Sequence, residues 1–143
     1  MTEAEMALFG AVIGQIALTV VLYLALIRVR FAYAADKANV RPELAYDQAA
    51  WPPKARQVSN AVSSQFELPV LFYAGVLFAF QFGAANWVAA FLAWTFVALR
   101  VVHAIIHTGK NVVIQRFSVF LAGFITVLAF WVYIAIKAIG AAG

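Results

Sequence analysis

The sequence predicts an all-α fold, a bundle of four transmembrane helices. Three observations carry it: four long apolar runs, a composition that is 66% hydrophobic and only 11% charged, and basic residues gathered in two of the connections. So little polar surface cannot coat a soluble globule of 143 residues. About 20 apolar residues in succession are enough for one helix to cross a bilayer. Residues 1–143 therefore read as a single integral membrane domain, with helices over about 6–30, 57–82, 86–109 and 116–139.

The first apolar run extends from about Met6 to Ile27. The residues ahead of it, Met1-Thr2-Glu3-Ala4-Glu5, are acidic where a secretory signal is basic, and no small-residue cleavage pattern precedes a polar domain, so the run is expected to be a retained helix. Gly10 and Gly14 have the GxxxG spacing that permits close helix contact, and Gln15, polar at depth, is expected to hydrogen bond another helix.

Between about Arg28 and Arg56 lies the main polar segment, with Arg28, Arg30, Lys37, Arg41, Lys54 and Arg56 against Asp36, Glu43 and Asp47. Pro42, Pro52 and Pro53 interrupt any regular helix, so this is a connecting loop. Its basic excess is the mark of a cytoplasmic loop. With four spans, the connection after the third run lies on the same side, and it holds Lys110 with Arg116 at its edge. The connection Gln81–Asn86 is uncharged and the N-terminus carries only acids, so both termini are expected on the opposite side, with Lys137 snorkelling.

The second run, about Gln57 to Phe82, holds Glu67 and Pro69 in otherwise apolar sequence. Pro69 has no N–H to offer the carbonyl of Gln65, so a bend beside Glu67 is expected. At 1.5 Å per residue, Glu67 lies roughly 16 Å into its helix from the basic side and Arg100 roughly 15 Å into the third. Acid and base reach one depth. Arg100, His103 and His107 follow i, i+3, i+7 and share a helix face. A charge at mid-bilayer costs roughly 2.5–3.5 kcal/mol on insertion scales, so that face is expected to avoid lipid.

Two readings of these residues stay open: a buried Glu67–Arg100 ion pair that sets helix register, or the edge of a polar site that also takes in His103, His107 and Arg116. Each histidine has a plainer role available, His107 solvated near the interface and His103 donating to a backbone carbonyl, and Arg116 one as a snorkelling anchor. Two histidines at i, i+4 near an acid also fit a metal, but no HExxH pattern is present and the adjacent arginine repels a cation, so no metal is expected. In the fourth run, about Phe117 to Ile139, Phe124, Phe130, Trp131 and Tyr133 are expected to pack, face lipid or form an interfacial belt, and Thr126 to bond back to its own helix.

Glu67-Leu68-Pro69 in the second helix, Arg100-Val101-Val102-His103 in the third and Arg116 at the mouth of the fourth resemble the MAPEG family, the membrane-associated proteins in eicosanoid and glutathione metabolism. The likeness extends to Ile27-Arg28-Val29-Arg30 and to the lengths of the connections. It implies a four-helix subunit in a homotrimer, with glutathione as cofactor held between neighbouring subunits near the cytoplasmic side. By the same resemblance Arg28, Glu67, Arg100 and His103 bind glutathione, with His107 beside them, and Arg116 is the catalytic residue that stabilises the thiolate. The sequence departs from the family pattern at Ser64 in place of an asparagine, with Asn60 one turn earlier. It departs again at His107 and Phe120 in place of tyrosines, and at Phe117 in place of a serine, with Ser118 adjacent.

The residue chemistry is compatible with that reading. The chain has no cysteine, so a thiol must come from a ligand. Glutathione has two carboxylates and an ammonium, and suits a pocket with several cations and one acid. The expected function is a glutathione-dependent transferase or peroxidase acting on apolar electrophiles that arrive through the lipid bilayer, at a cytoplasmic site in a bacterial inner membrane. The alternative is a non-catalytic subunit that packs into a larger membrane assembly. A proton or solute pathway ranks below both, since four short helices leave little room for gating and Arg100 opposes cation flow. No nucleic-acid partner is expected at a formal charge of only +4.

Overall fold

The computed structural model describes residues 1–142, with side chains through residue 140. All regular structure among them is helical: α1 (Glu3–Ala34), α2 (Pro53–Ser63), α3 (Leu68–Gln81), α4 (Trp87–Thr108) and α5 (Val113–Ala142). Helices α2 and α3 together form the second span, so four segments are long and apolar enough to cross a membrane. Three short 3-10 turns shape the loop between α1 and α2.

The ends of these helices follow local chemistry rather than the edges of the apolar runs. Thr2 and Glu5 form a reciprocal cap, with the Glu5 N–H donating to Thr2 Oγ1 at 3.2 Å and the Thr2 N–H to Glu5 Oε2 at 2.7 Å. The first helix therefore starts within the acidic leader and runs past residue 30. Pro53 opens α2, four residues before the expected start, because a proline in the first turn sacrifices no internal hydrogen bond. Asn86 caps α4 through bonds from the N–H groups of Val88 and Ala89.

The second span departs from the continuous helix expected over 57–82. After Ser63 the chain tightens into a 3-10 turn at Ser64–Phe66, and Glu67 leaves helical geometry altogether at φ −99°, ψ −103°. Pro69 then sits in the first turn of α3, where its missing N–H is harmless. The expected bend is a full interruption.

Helix α4 packs against α5 and α1, and α1 against α2. The larger apolar core joins Leu8, Phe72, Phe96, Val127, Phe130 and Ile134, with Phe72 and Phe96 stacked at 4.9 Å. A second cluster of Leu22, Leu26, Val58, Val62 and Ala104 holds the end nearer the polar loop. The Trp94 ring lies over Gly10 and Gly14, where a Cβ at either position would meet it at 3.4–3.5 Å, and the indole N–H donates to the Ala7 carbonyl. The GxxxG pair thus admits an aromatic ring rather than another backbone. Gln15, fully buried, donates to Gln65 Oε1 at 2.9 Å, and Thr126 bonds back to Ala122 at 2.8 Å, both as the sequence led us to expect. Trp131 and Tyr133 tie helices together, through Leu71 O and Asn86 Nδ2 respectively. Phe9, Ile13, Val20 and Leu24 leave the outer face of α1 exposed and apolar, the surface a helix presents to lipid.

Candidate functional site

A polar cleft opens beside the interruption of the second span. Asn60, Ser63 and Ser64 line it from the end of α2, with Glu67 just beyond. His103 and His107 come from the last turns of α4, and Val113, Arg116, Phe117 and Phe120 from the first turns of α5. Its volume is about 440 Å³, inside the roughly 300–1,000 Å³ range of small-molecule sites. The wall supplied by α2 and α4 is polar. Apart from Arg116, the α5 wall is apolar.

Four residues singled out in the sequence, Glu67, His103, His107 and Arg116, meet here. Arg100 does not line the cleft. It is only 2% exposed and lies behind Ser64, where its Nη2 donates to the Ser64 carbonyl at 2.9 Å and hydroxyl at 3.0 Å. Arg28 is exposed on α1 and is absent from the lining of its own chain's cleft.

The Glu67–Arg100 ion pair considered for helix register is not formed: among the described residues the one salt bridge joins the N-terminal ammonium to Glu5. The break leaves Glu67 on an exposed part of the cleft, while Arg100 takes two oxygens at the point where the helix ends. A buried guanidinium thus bonds neutral acceptors, through Nη2. Its Nε stays without a protein partner among the described residues.

His103 and His107 are both buried and stand edge to face at 5.4 Å, with Phe120 6.2 Å from His103. His103 makes no bond to a carbonyl among the described residues, and His107, only 7% exposed, is not left in bulk solvent. Each keeps a buried Nδ1 without a protein partner among the described residues. Buried polar atoms are seldom left unpaired without a reason, and functional sites are one such reason. Among the described residues no cluster of His, Asp and Glu has the number or closeness to hold a metal.

The last carbonyls of α4 have no partners within the helix. Gln57 of α2 donates to those of His107 at 2.6 Å and Gly109 at 2.9 Å, and Lys54 reaches that of Thr108. These bonds fix the turn that carries His107. Across the connection, Arg116 Nη1 donates to Asn111 Oδ1 at 2.8 Å. Sequence reasoning missed Asn111, Gln57, Ser63 and Val113. An asparagine in the Gly109-Lys110-Asn111 connection was a usable signal, since asparagine tolerates left-handed turns. Gln57 had none, because its partner lies 50 residues away.

The family model of the MAPEG family matches residues 8–136 of this chain. The chain belongs to the MAPEG family. No curated protein and no solved structure matches it. Four helices of spanning length and apolarity in a MAPEG member make it an integral membrane protein. The MAPEG family includes glutathione-dependent transferases and peroxidases as well as non-catalytic members. At the positions where this MAPEG chain departs from the family pattern, Asn60 lines the cleft one turn before Ser64. Ser118 does not replace a hydroxyl at Phe117, because it donates to Ile114 within α5.

Proposed function

We propose that this protein is a glutathione-dependent transferase or peroxidase acting on apolar electrophiles at the membrane. The carrying observation is the cleft, in which one carboxylate, one guanidinium and two imidazoles line a space of about 440 Å³. The donors and acceptors suit the ligand. Glu67 is the acceptor for an ammonium, Arg116 the partner for an anion, and Asn60, Ser63 and Ser64 supply neutral hydrogen bonds.

Bound glutathione supplies the sulfur nucleophile. A free thiol ionises near ~8.5, and Arg116 favours the anion by Coulombic attraction in a partly dry cleft. His103 and His107 add two imidazoles to the lining, and Arg100 holds the cleft wall through Ser64. Val113, Phe117 and Phe120 offer an apolar wall for an electrophile entering from the bilayer. The chain's part is to position and to stabilise charge, without a covalent bond to the protein. In a homotrimer, Arg28, exposed on α1, would serve a neighbouring subunit's cleft. The basic loops and the cleft face the cytoplasm of a bacterial inner membrane, with both termini opposite.

The test is thermal protection of the purified protein by millimolar glutathione, together with conjugation of an apolar electrophile. Protection of the unaltered protein, with turnover that falls on Arg116→Leu at neutral pH, supports the reading; absence of protection in the unaltered protein removes it. The second reading, a non-catalytic member packed into a larger assembly, is favoured by Phe117 and Phe120, which bring no hydroxyl to the cleft. A stoichiometric partner that co-purifies in mild detergent would select it.

A further inference from the structure

The connection between α4 and α5 is only Gly109 to Val112, yet it contains the one non-glycine residue with positive φ among the described residues, Asn111 at +52°. Such a backbone is unfavourable for most side chains and tolerable for asparagine. The Asn111 N–H donates to the Ile106 carbonyl at 2.9 Å, which closes the end of α4. Glycine would make that backbone bond equally well. A packing role does not require a side chain here.

The side chain has a separate task. Asn111 Oδ1 accepts from Arg116 Nη1 at 2.8 Å, across five residues and the start of a new helix. A guanidinium is a rigid planar fork with five N–H donors. Once Nη1 is tied, the plane of the fork is restricted. Among the described residues the other donors of Arg116 have no partner, and none of them is buried, so they remain accessible at the cleft that Arg116 lines. The acceptor is also neutral. An acid at the same place would align the fork but cancel much of its field.

We infer that Asn111 is the positioning residue for Arg116: its left-handed backbone returns its amide oxygen to the guanidinium and aims the unpaired donors into the cleft without neutralising them. The inference rests on the proposed role of Arg116 for its catalytic consequence, but the orientation itself can be read without glutathione.

Asn111→Gly keeps the backbone and removes the acceptor, and Asn111→Asp keeps the acceptor and adds a charge. The first readout is the rate at which an arginine-selective dicarbonyl labels Arg116, followed by peptide mass spectrometry of the full-length protein in detergent. The Gly variant is expected to label Arg116 at least about tenfold faster, the low end of what one hydrogen bond from a charged donor is worth, and the Asp variant no faster than the unaltered protein. The second readout is the ultraviolet titration of bound glutathione thiolate, which both variants are expected to shift to higher pH. Thermal midpoints of the Gly variant and the unaltered protein should lie close together, because glycine relieves the positive φ as the bond is lost, so faster labelling then reports orientation and not unfolding. Equal labelling of Arg116 in the Gly variant and the unaltered protein overturns the inference, whatever glutathione does. If the unaltered protein binds no glutathione, the proposed function fails, while the labelling result still decides whether Asn111 holds Arg116.

Discussion

Replacing Arg100 by Met and by Lys asks what compensates a guanidinium buried in the bundle. Arg100→Met removes two hydrogen bonds to Ser64, at 2.9 and 3.0 Å. Bonds from a charged donor contribute about 1.5–3 kcal/mol each, so the gross loss is about 3–6 kcal/mol. Against it stands the relief of a desolvated charge with no carboxylate within 4 Å among the described residues, itself several kcal/mol. The two nearly cancel, and Met fills much of the volume, leaving a net change within about 2 kcal/mol. Arg100→Lys is expected to be worse. It retains the charge, as a more strongly hydrated ammonium without the planar fork that reaches both Ser64 oxygens. The Lys variant should melt below the Met variant by about 2 kcal/mol, or roughly 7 °C for a chain of this size. The assay is the thermal midpoint in a single detergent, followed by far-ultraviolet circular dichroism. Glu67→Gln is the control, expected within about 0.5 kcal/mol because Glu67 is exposed and unpaired. A Lys variant as stable as the unaltered protein, with Met and Gln both several kcal/mol lower, would refute the reasoning and place an ion pair between Arg100 and Glu67.

Three further outcomes can be checked separately. Gly75→Ala puts a methyl 3.0–3.1 Å from two carbons of the Phe130 ring; such overpacking should lower stability by about 1–3 kcal/mol in the same melting assay. A double-mutant cycle of Gln15→Leu and Gln65→Leu should return a coupling of about 0.6–1.7 kcal/mol, the range for hydrogen bonds between membrane helices, and zero coupling would deny the bond between them. Arg116→Leu should raise the pKa of bound glutathione thiol by about 1–3 units. The sign follows because the removed cation favours the thiolate, so the variant loses nucleophile at neutral pH and recovers it only as pH rises.

The bundle was legible because its signals are local and additive: four apolar runs, basic connections, an acidic leader and prolines in the loop. Depth was legible too. A uniform rise per residue was enough to bring Glu67 level with the Arg100 row, and four residues foreseen from the sequence line one cleft. What could not be read was which partner each group chooses. Opposite charges at equal depth suggested an ion pair, but the interruption at Ser64–Glu67 gave Arg100 a nearer pair of oxygens and turned Glu67 outward. The scale of that interruption was hidden for a related reason. Pro69 announces a lost hydrogen bond, but not the 3-10 turn before it, whose Ser64 is bonded by Arg100 from 36 residues away. Gln57 and Asn111 were passed over because each does its work through a partner chosen by tertiary geometry.

The short bridge from Gly109 to Val112 has a mechanical consequence. His107 and Arg116 stand on either side of it, and Gln57 with Lys54 fastens the opposing wall to the same helix end. All three jaws of this vise are bolted at one end, which holds their spacing there. A guest has to slip in sideways between the jaws or drop from the rim, and its association should follow a single kinetic phase without a slow step of protein rearrangement.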